Sequence, residues 1–157
     1  MVQLLKLLTS KLHRLLVWLW QQEGTAGQRA RGVAAGVFTG CFPLFGLQTL
    51  LGITLASVVR GNHLLAATGT WISNPSTYVP LYWFNYHVGS ILLHKGPNTS
   101  DLSLNKSQAL WNQGIDLTMR MLLGSTIVGL IAAGLTGGLT YLLLKKQTKG
   151  TRRPHLK

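Results

Sequence analysis

Two short stretches of the chain combine backbone breakers with hydrogen-bonding side chains. The first is Cys41-Phe42-Pro43-Leu44-Phe45-Gly46-Leu47-Gln48-Thr49, and the second is Ser73-Asn74-Pro75-Ser76-Thr77-Tyr78-Val79-Pro80. Proline lacks an amide donor and clashes with a preceding turn, so Pro43, Pro75 and Pro80, with Gly46, are expected to interrupt helices and free backbone groups. Gln48, Thr49, Asn74 and Thr77 stand beside those groups and have two available uses. They can satisfy the freed backbone, or they can line a small polar cavity where half-helix ends present N–H dipoles to an anion or carbonyls to a cation. Arg60 and Asn62, in the Arg60-Gly61-Asn62-His63 segment between the stretches, extend the second use. A guanidinium pairs bidentately with phosphate, so Arg60 is a candidate phosphate ligand at the mouth of such a cavity, and Arg29 and Arg31 could serve likewise. The simpler role for Arg60 is an interfacial turn whose side chain reaches lipid headgroups.

Catalysis finds little material. Glu23, Asp101 and Asp116 are the only acids, against 15 Lys and Arg, for a formal charge of +12. No acid/base pair or activated nucleophile can be assembled from them, and no enzymatic activity or catalytic residue is expected. The single Cys41 precludes an internal disulfide, and the five histidines lack paired-ligand spacing, so neither a metal nor a cofactor is expected. His87, inside Tyr82-Trp83-Phe84-Asn85-Tyr86-His87, is either a proton relay or part of an aromatic interface belt, and the belt is the plainer choice.

The solvent around these residues is set by composition. Of 157 residues, 46% are apolar and only 11% charged, too few charges for an ordinary soluble surface. The apolar residues fall into three uncharged blocks, 33–59, 64–93 and 121–144, each long enough to cross a hydrocarbon layer of about 30 Å. Only the third reads as an uninterrupted transmembrane helix. The first two share one form, apolar half, break, apolar half, a repeat of break placement rather than of residue identity. The expected fold class is therefore all-α integral membrane, with two Pro-broken segments, re-entrant or kinked, and one C-terminal transmembrane helix.

Flanking segments complete the organisation. Val2 to Trp20 has the pattern of an amphipathic helix lying in the interface, so residues 1–28 are assigned to that helix and a linker, and a cleaved signal peptide is not expected. Residues 29–144 form the membrane domain. Within it, residues 94–116 are expected to form a polar loop, with a short helix capped at Ser100-Asp101 and ending near Trp111. Residues 145–157 form a basic tail.

Lys6, Lys11, Arg14, Arg29 and Arg31 precede the first block, and Lys145, Lys146, Lys149, Arg152, Arg153 and Lys157 follow the last. The positive-inside tendency puts both ends in the cytoplasm of a cell with the chain in its inner membrane. Equal sidedness needs an even number of crossings, so one broken block should enter and leave on the same face. Anionic headgroups are the expected partners of the tail; the absence of aromatic interleaving or a recognition motif argues against nucleic acid.

Gly32, Gly36 and Gly40 recur every four residues and share one helix face, a close-packing signal, and Gly134 and Gly138 repeat the spacing. These glycines are expected to bring helices of this chain together or to meet a second copy, and a homo-oligomer is compatible with so small a set of apolar blocks.

The run Arg29-Ala30-Arg31-Gly32-Val33-Ala34-Ala35-Gly36-Val37-Phe38, followed by Pro43 with Gly46-Leu47-Gln48-Thr49, Arg60-Gly61-Asn62 and Gly69-Thr70-Trp71-Ile72-Ser73-Asn74-Pro75, closely resembles the bacterial domain of unknown function 2062 family. Leu123-Gly124-Ser125 and Tyr141 before a basic tail resemble that family's last helix. The likeness covers roughly Arg29 to Lys146. It implies a small integral membrane protein whose domain is sometimes fused to, or found beside, glycosyltransferases that use polyprenyl-phosphate lipids. Two functions are consistent with that: binding or translocating a phosphorylated lipid or small anion at a pocket of Gln48, Thr49, Arg60, Asn62, Asn74 and Thr77, or anchoring a partner such as a lipid-linked glycosyltransferase without transport.

Overall fold

The computed structural model describes Val17 and residues 21–93 and 106–150, the last without side chains at 106–110 and 147–150. The amphipathic helix expected over Val2 to Trp20 lies outside the described residues apart from helical Val17. All regular structure among the described residues is helical. α1 is Ala26–Gly40, α2 Leu47–Val58, α3 His63–Gly69, α4 Tyr78–Leu93 and α5 Lys106–Gly150, with a single 3-10 turn, Thr70–Ile72, after α3.

α1 begins at a capping box. Thr25 Oγ1 accepts from the Gln28 amide at 3.2 Å and Gln28 Oε1 accepts from the Thr25 amide at 2.8 Å, which satisfies two orphan donors of the first turn. α1 stops at the first break. Pro43 follows, and Gly46 takes φ 81°, the left-handed conformation that lets the chain reverse into α2. α2 then returns beside α1: Gly61, just past its end, lies against the backbone of Gly32, while Gly52 lies against Thr39 and Thr70. α1 and α2 are thus an antiparallel hairpin with the break at its tip.

α3 repeats the direction of α1. Asn62 lies against Gly32, Ala66 against Gly36 and Thr70 against Gly40, so the four-residue glycine face of α1 receives α3 backbone to backbone. A Cβ at Gly36 would overlap the Ala66 carbonyl. The small core that results is Ala35, Ala56 and Ala66, with Leu55 packed on it.

The second half-block diverges from the first. Where α2 folds back, α4 continues onward, passing the tip of the hairpin and packing antiparallel on α5: Gly89 touches the backbone of Arg120, and Gly124 that of Asn85. α5 carries both layers. Its later part packs on α1 through Gly129, against Phe38 and Cys41, and Gly137, against Ala30 and Ala34. At 1.5 Å per residue its 45 residues measure about 68 Å. Within it, Trp111–Lys146, 36 residues, is long and apolar enough to cross a membrane.

Several expectations change. Pro80 breaks nothing, because it falls in the first turn of α4, where a missing amide proton has no helical partner to lose. The breaks are 41–46 and 73–77, containing Pro43, Gly46 and Pro75. The polar loop expected over 94–116 is helical from Lys106 onward, continuous with the apolar span, and the helix runs on through the first residues of the basic tail to Gly150. Among the described residues Gly134 and Gly138 meet no other part of the chain, since a Cβ at either has nothing within 4 Å; Gly129 and Gly137 make the contact instead.

Candidate functional site

The two breaks lie side by side. Ser73 Oγ donates to Gln48 Oε1 at 3.0 Å, and the Thr49 and Thr70 hydroxyls share a hydrogen bond of 3.1 Å. Within the second break, Asn74 Oδ1 accepts from the amides of Ser76 (2.9 Å) and Thr77 (3.2 Å), the usual local geometry of an Asx turn. Thr77 Oγ1 donates to the Ile72 carbonyl at 2.6 Å and accepts from the Asn74 amide at 3.0 Å. Four of the six candidate ligand residues, Gln48, Thr49, Asn74 and Thr77, therefore meet in one place, and each spends hydrogen bonds on a neighbour or on freed backbone.

Arg60 and Asn62 are elsewhere. They follow the far end of α2, about 18 Å of helix from the break. Asn62 caps α3, accepting from the Leu65 amide at 2.9 Å, and its Nδ2 donates to the Glu23 carbonyl at 3.0 Å. Arg60 ends α2: its amide bonds Ser57 O at 3.2 Å and the Gly61 amide bonds Ala56 O at 2.7 Å, the paired bonds of a Schellman motif. Arg60 takes φ 52°, the left-handed position usually given to glycine. Arg31 Nη2 donates to the Arg60 carbonyl at 3.1 Å, tying the two ends of the hairpin together.

The breaks sit beside the middle of α5. Gly129 is the midpoint of Trp111–Lys146, and a Cβ there would lie 3.4 Å from Cys41 Cβ. Above that level, sequence reasoning passed over the residues that hold α4. Asn85, fully buried, donates through Nδ2 to the Cys41 carbonyl at 2.8 Å and to Ser125 Oγ at 2.9 Å, while its Oδ1 has no partner among the described residues. Tyr82 Oη donates to the Phe42 carbonyl at 3.2 Å, and Phe45 packs edge-on against Tyr78 and Tyr82. One turn higher, buried Arg120 makes a bidentate ion pair with Asp116, at 2.7 and 3.2 Å. The signal for Asn85 and Ser125 was available: polar side chains inside uncharged runs must find partners.

His87 belongs to the surface of α4, exposed, with its ring 4.1 Å from that of Trp83 and Nδ1 2.9 Å from the Trp83 carbonyl. Among the described residues no three His, Cys, Asp or Glu side chains come together in a way that could hold a metal. Between α1 and α2 runs a groove of about 360 Å³, lined by Phe38, Thr39, Phe42, Leu44, Leu51, Thr54, Leu55 and Val58. Its two threonine hydroxyls bond back to their own helices, Thr39 to Ala35 O and Gly36 O and Thr54 to Leu50 O, so the groove presents hydrocarbon.

Large apolar side chains are exposed on α2, α4 and α5 and on the 3-10 turn, among them Val58, Trp71, Ile91, Trp111 and Leu135, each at least 70% exposed. Together with the apolar span in α5, this defines the chain as an all-helical, membrane-associating protein. It belongs to a bacterial family described as an uncharacterized protein conserved in bacteria, DUF2062, whose pattern matches residues 6–153. That match extends the likeness seen in the motifs to the N-terminal segment and the tail. No curated protein and no solved structure matches the chain.

Proposed function

We propose that the protein is a multi-pass component of the bacterial cytoplasmic membrane that acts as a non-transporting accessory, organising or anchoring a membrane partner. In this reading α1 and α2 form a re-entrant hairpin, α3 and α4 make one broken crossing, α5 makes the return crossing, and both ends are cytoplasmic. Support for the topology comes from the placement of the start of α1 beside the later part of α5, near Lys145 and Lys146, which satisfies the charge rule with two crossings. The partner class implied by the sequence resemblance is a lipid-linked glycosyltransferase.

One observation carries the choice of accessory over translocator. Cys41, at the start of the first break, is fully buried, and the Thr49, Ser73 and Thr77 hydroxyls beside it bond to neighbouring side chains or backbone. A path for an anion needs water at that depth, and a fully buried Cys41 is what a break packed in protein rather than water predicts. Cys41 gives the test. In intact membranes a small maleimide, which needs a hydrated thiolate, is expected to leave Cys41 unmodified and to label it fully after denaturation. Rapid labelling of the native protein would overturn the reading and restore a hydrated cavity between the breaks.

A further inference from the structure

We propose that the groove between α1 and α2 holds one acyl chain of an anionic phospholipid of the cytoplasmic leaflet, with the lipid phosphate on Arg31 and Arg60. The two halves of the site are continuous along the hairpin. On α2, Leu51, Leu55 and Val58 form one face of the groove, and Arg60 follows Val58 by two residues. On α1, Arg31 and Phe38 are seven residues apart, which places them along one side of the helix, and Phe42 follows in the break just past its end. From the level of Arg31 to the end of α1 at Gly40 is about 14 Å of helix rise, close to the half-thickness of a hydrocarbon core of about 30 Å. A chain whose headgroup sits at the arginines therefore reaches the break near the bilayer centre.

Chemistry selects this occupant. A groove of about 360 Å³ whose threonines are turned to their own backbones offers nothing to a polar solute and suits hydrocarbon. Arg60 follows the groove residue Val58 by two positions, and the Arg31 guanidinium is fixed at the Arg60 carbonyl before the lipid arrives. A left-handed residue at a helix end costs least as glycine, and here an arginine occupies it with glycine next in sequence. The inference rests on the membrane topology above and not on the choice between accessory and translocator, which the Cys41 experiment tests separately.

The full chain, purified in detergent and titrated with phosphatidylglycerol or phosphatidylcholine of identical acyl chains, gives bound lipid per protein by native mass spectrometry. Retention of phosphatidylglycerol over phosphatidylcholine is expected. Arg31→Gln and Arg60→Gln should each weaken phosphatidylglycerol binding about fivefold, the worth of one basic residue at an anionic surface. Val58→Trp and Leu51→Trp, both at exposed positions, should lower binding of the same lipid by filling the groove, with helix content and melting temperature unchanged. Loss on the arginine variants without loss on the tryptophan variants would mean headgroup attraction alone and overturn the acyl assignment. Equal retention of both lipids, or displacement of the lipid by millimolar inorganic phosphate, would overturn the site as a whole.

Discussion

The Asn85 carboxamide donates to Ser125 Oγ at 2.9 Å, inside a contact where both residues are fully buried. The same nitrogen reaches the Cys41 carbonyl at 2.8 Å, one of the acceptors that the end of α1 leaves without a helical donor. One side chain therefore joins α4 to α5 and closes the first break. Replacing Asn85 with alanine removes both bonds and leaves the Cys41 carbonyl buried and unpaired, at a cost of about 1–3 kcal/mol. Ser125→Ala removes only the interhelical bond, worth about 0.6 kcal/mol in membrane proteins. Thermal unfolding in detergent should rank the two in that order, and equal effects would show that Asn85 does not serve the break.

Glycine positions offer a sharper contrast. A Cβ at Gly124 would overlap the Asn85 carbonyl, and one at Gly89 would overlap that of Arg120, so Gly124→Ala and Gly89→Ala must push α4 and α5 apart. Gly134→Ala and Gly138→Ala meet nothing within 4 Å among the described residues. The first pair should lower the melting temperature and the yield of folded protein; the second pair should leave the monomer fold as stable or slightly more so, because alanine is the better helix former.

Arg60 links stability and binding with opposite signs. Its left-handed conformation costs about 1 kcal/mol or more relative to glycine, so Arg60→Gly should raise the melting temperature while weakening phosphatidylglycerol retention. A variant that loses both would place Arg60 in the packing of the hairpin instead.

Arg120 is 3% exposed, whereas its partner Asp116 is 48% exposed. Removing the carboxylate strands a buried cation, while removing the guanidinium leaves an acid that water reaches. Asp116→Asn is thus expected to destabilise more than Arg120→Met, which keeps the packing of the aliphatic stem. Unfolding midpoints of the two single variants and the double variant would check the order, and the double variant should resemble Arg120→Met.

Much of the fold is carried by local chemistry. The uncharged runs, the interruption at Pro43 and Pro75, the four-residue glycine face of α1 and the charge at the chain ends follow from side-chain type and spacing. Each is decided within a few turns of backbone, so the sequence alone determined them. The fates of the two broken blocks are different in kind. Both have the same form, yet α2 turns back and α4 goes on, because Gly61 and Gly52 admit α2 against α1 and α3, whereas Gly89 and Gly124 admit α4 against α5. That choice depends on which helix surfaces meet, and hence on contacts between residues far apart in the chain. The rotation of α5 is of the same kind: it turns Gly129 and Gly137 inward and leaves Gly134 and Gly138 outside, although all four lie on one helix. Likewise, of the six polar candidates Gln48, Thr49, Asn74 and Thr77 meet at the breaks, whereas about 18 Å of α2 separates Arg60 and Asn62 from them. Tertiary packing decided these matters because close backbone approach is a property of two surfaces, and a sequence pattern specifies only one of them at a time.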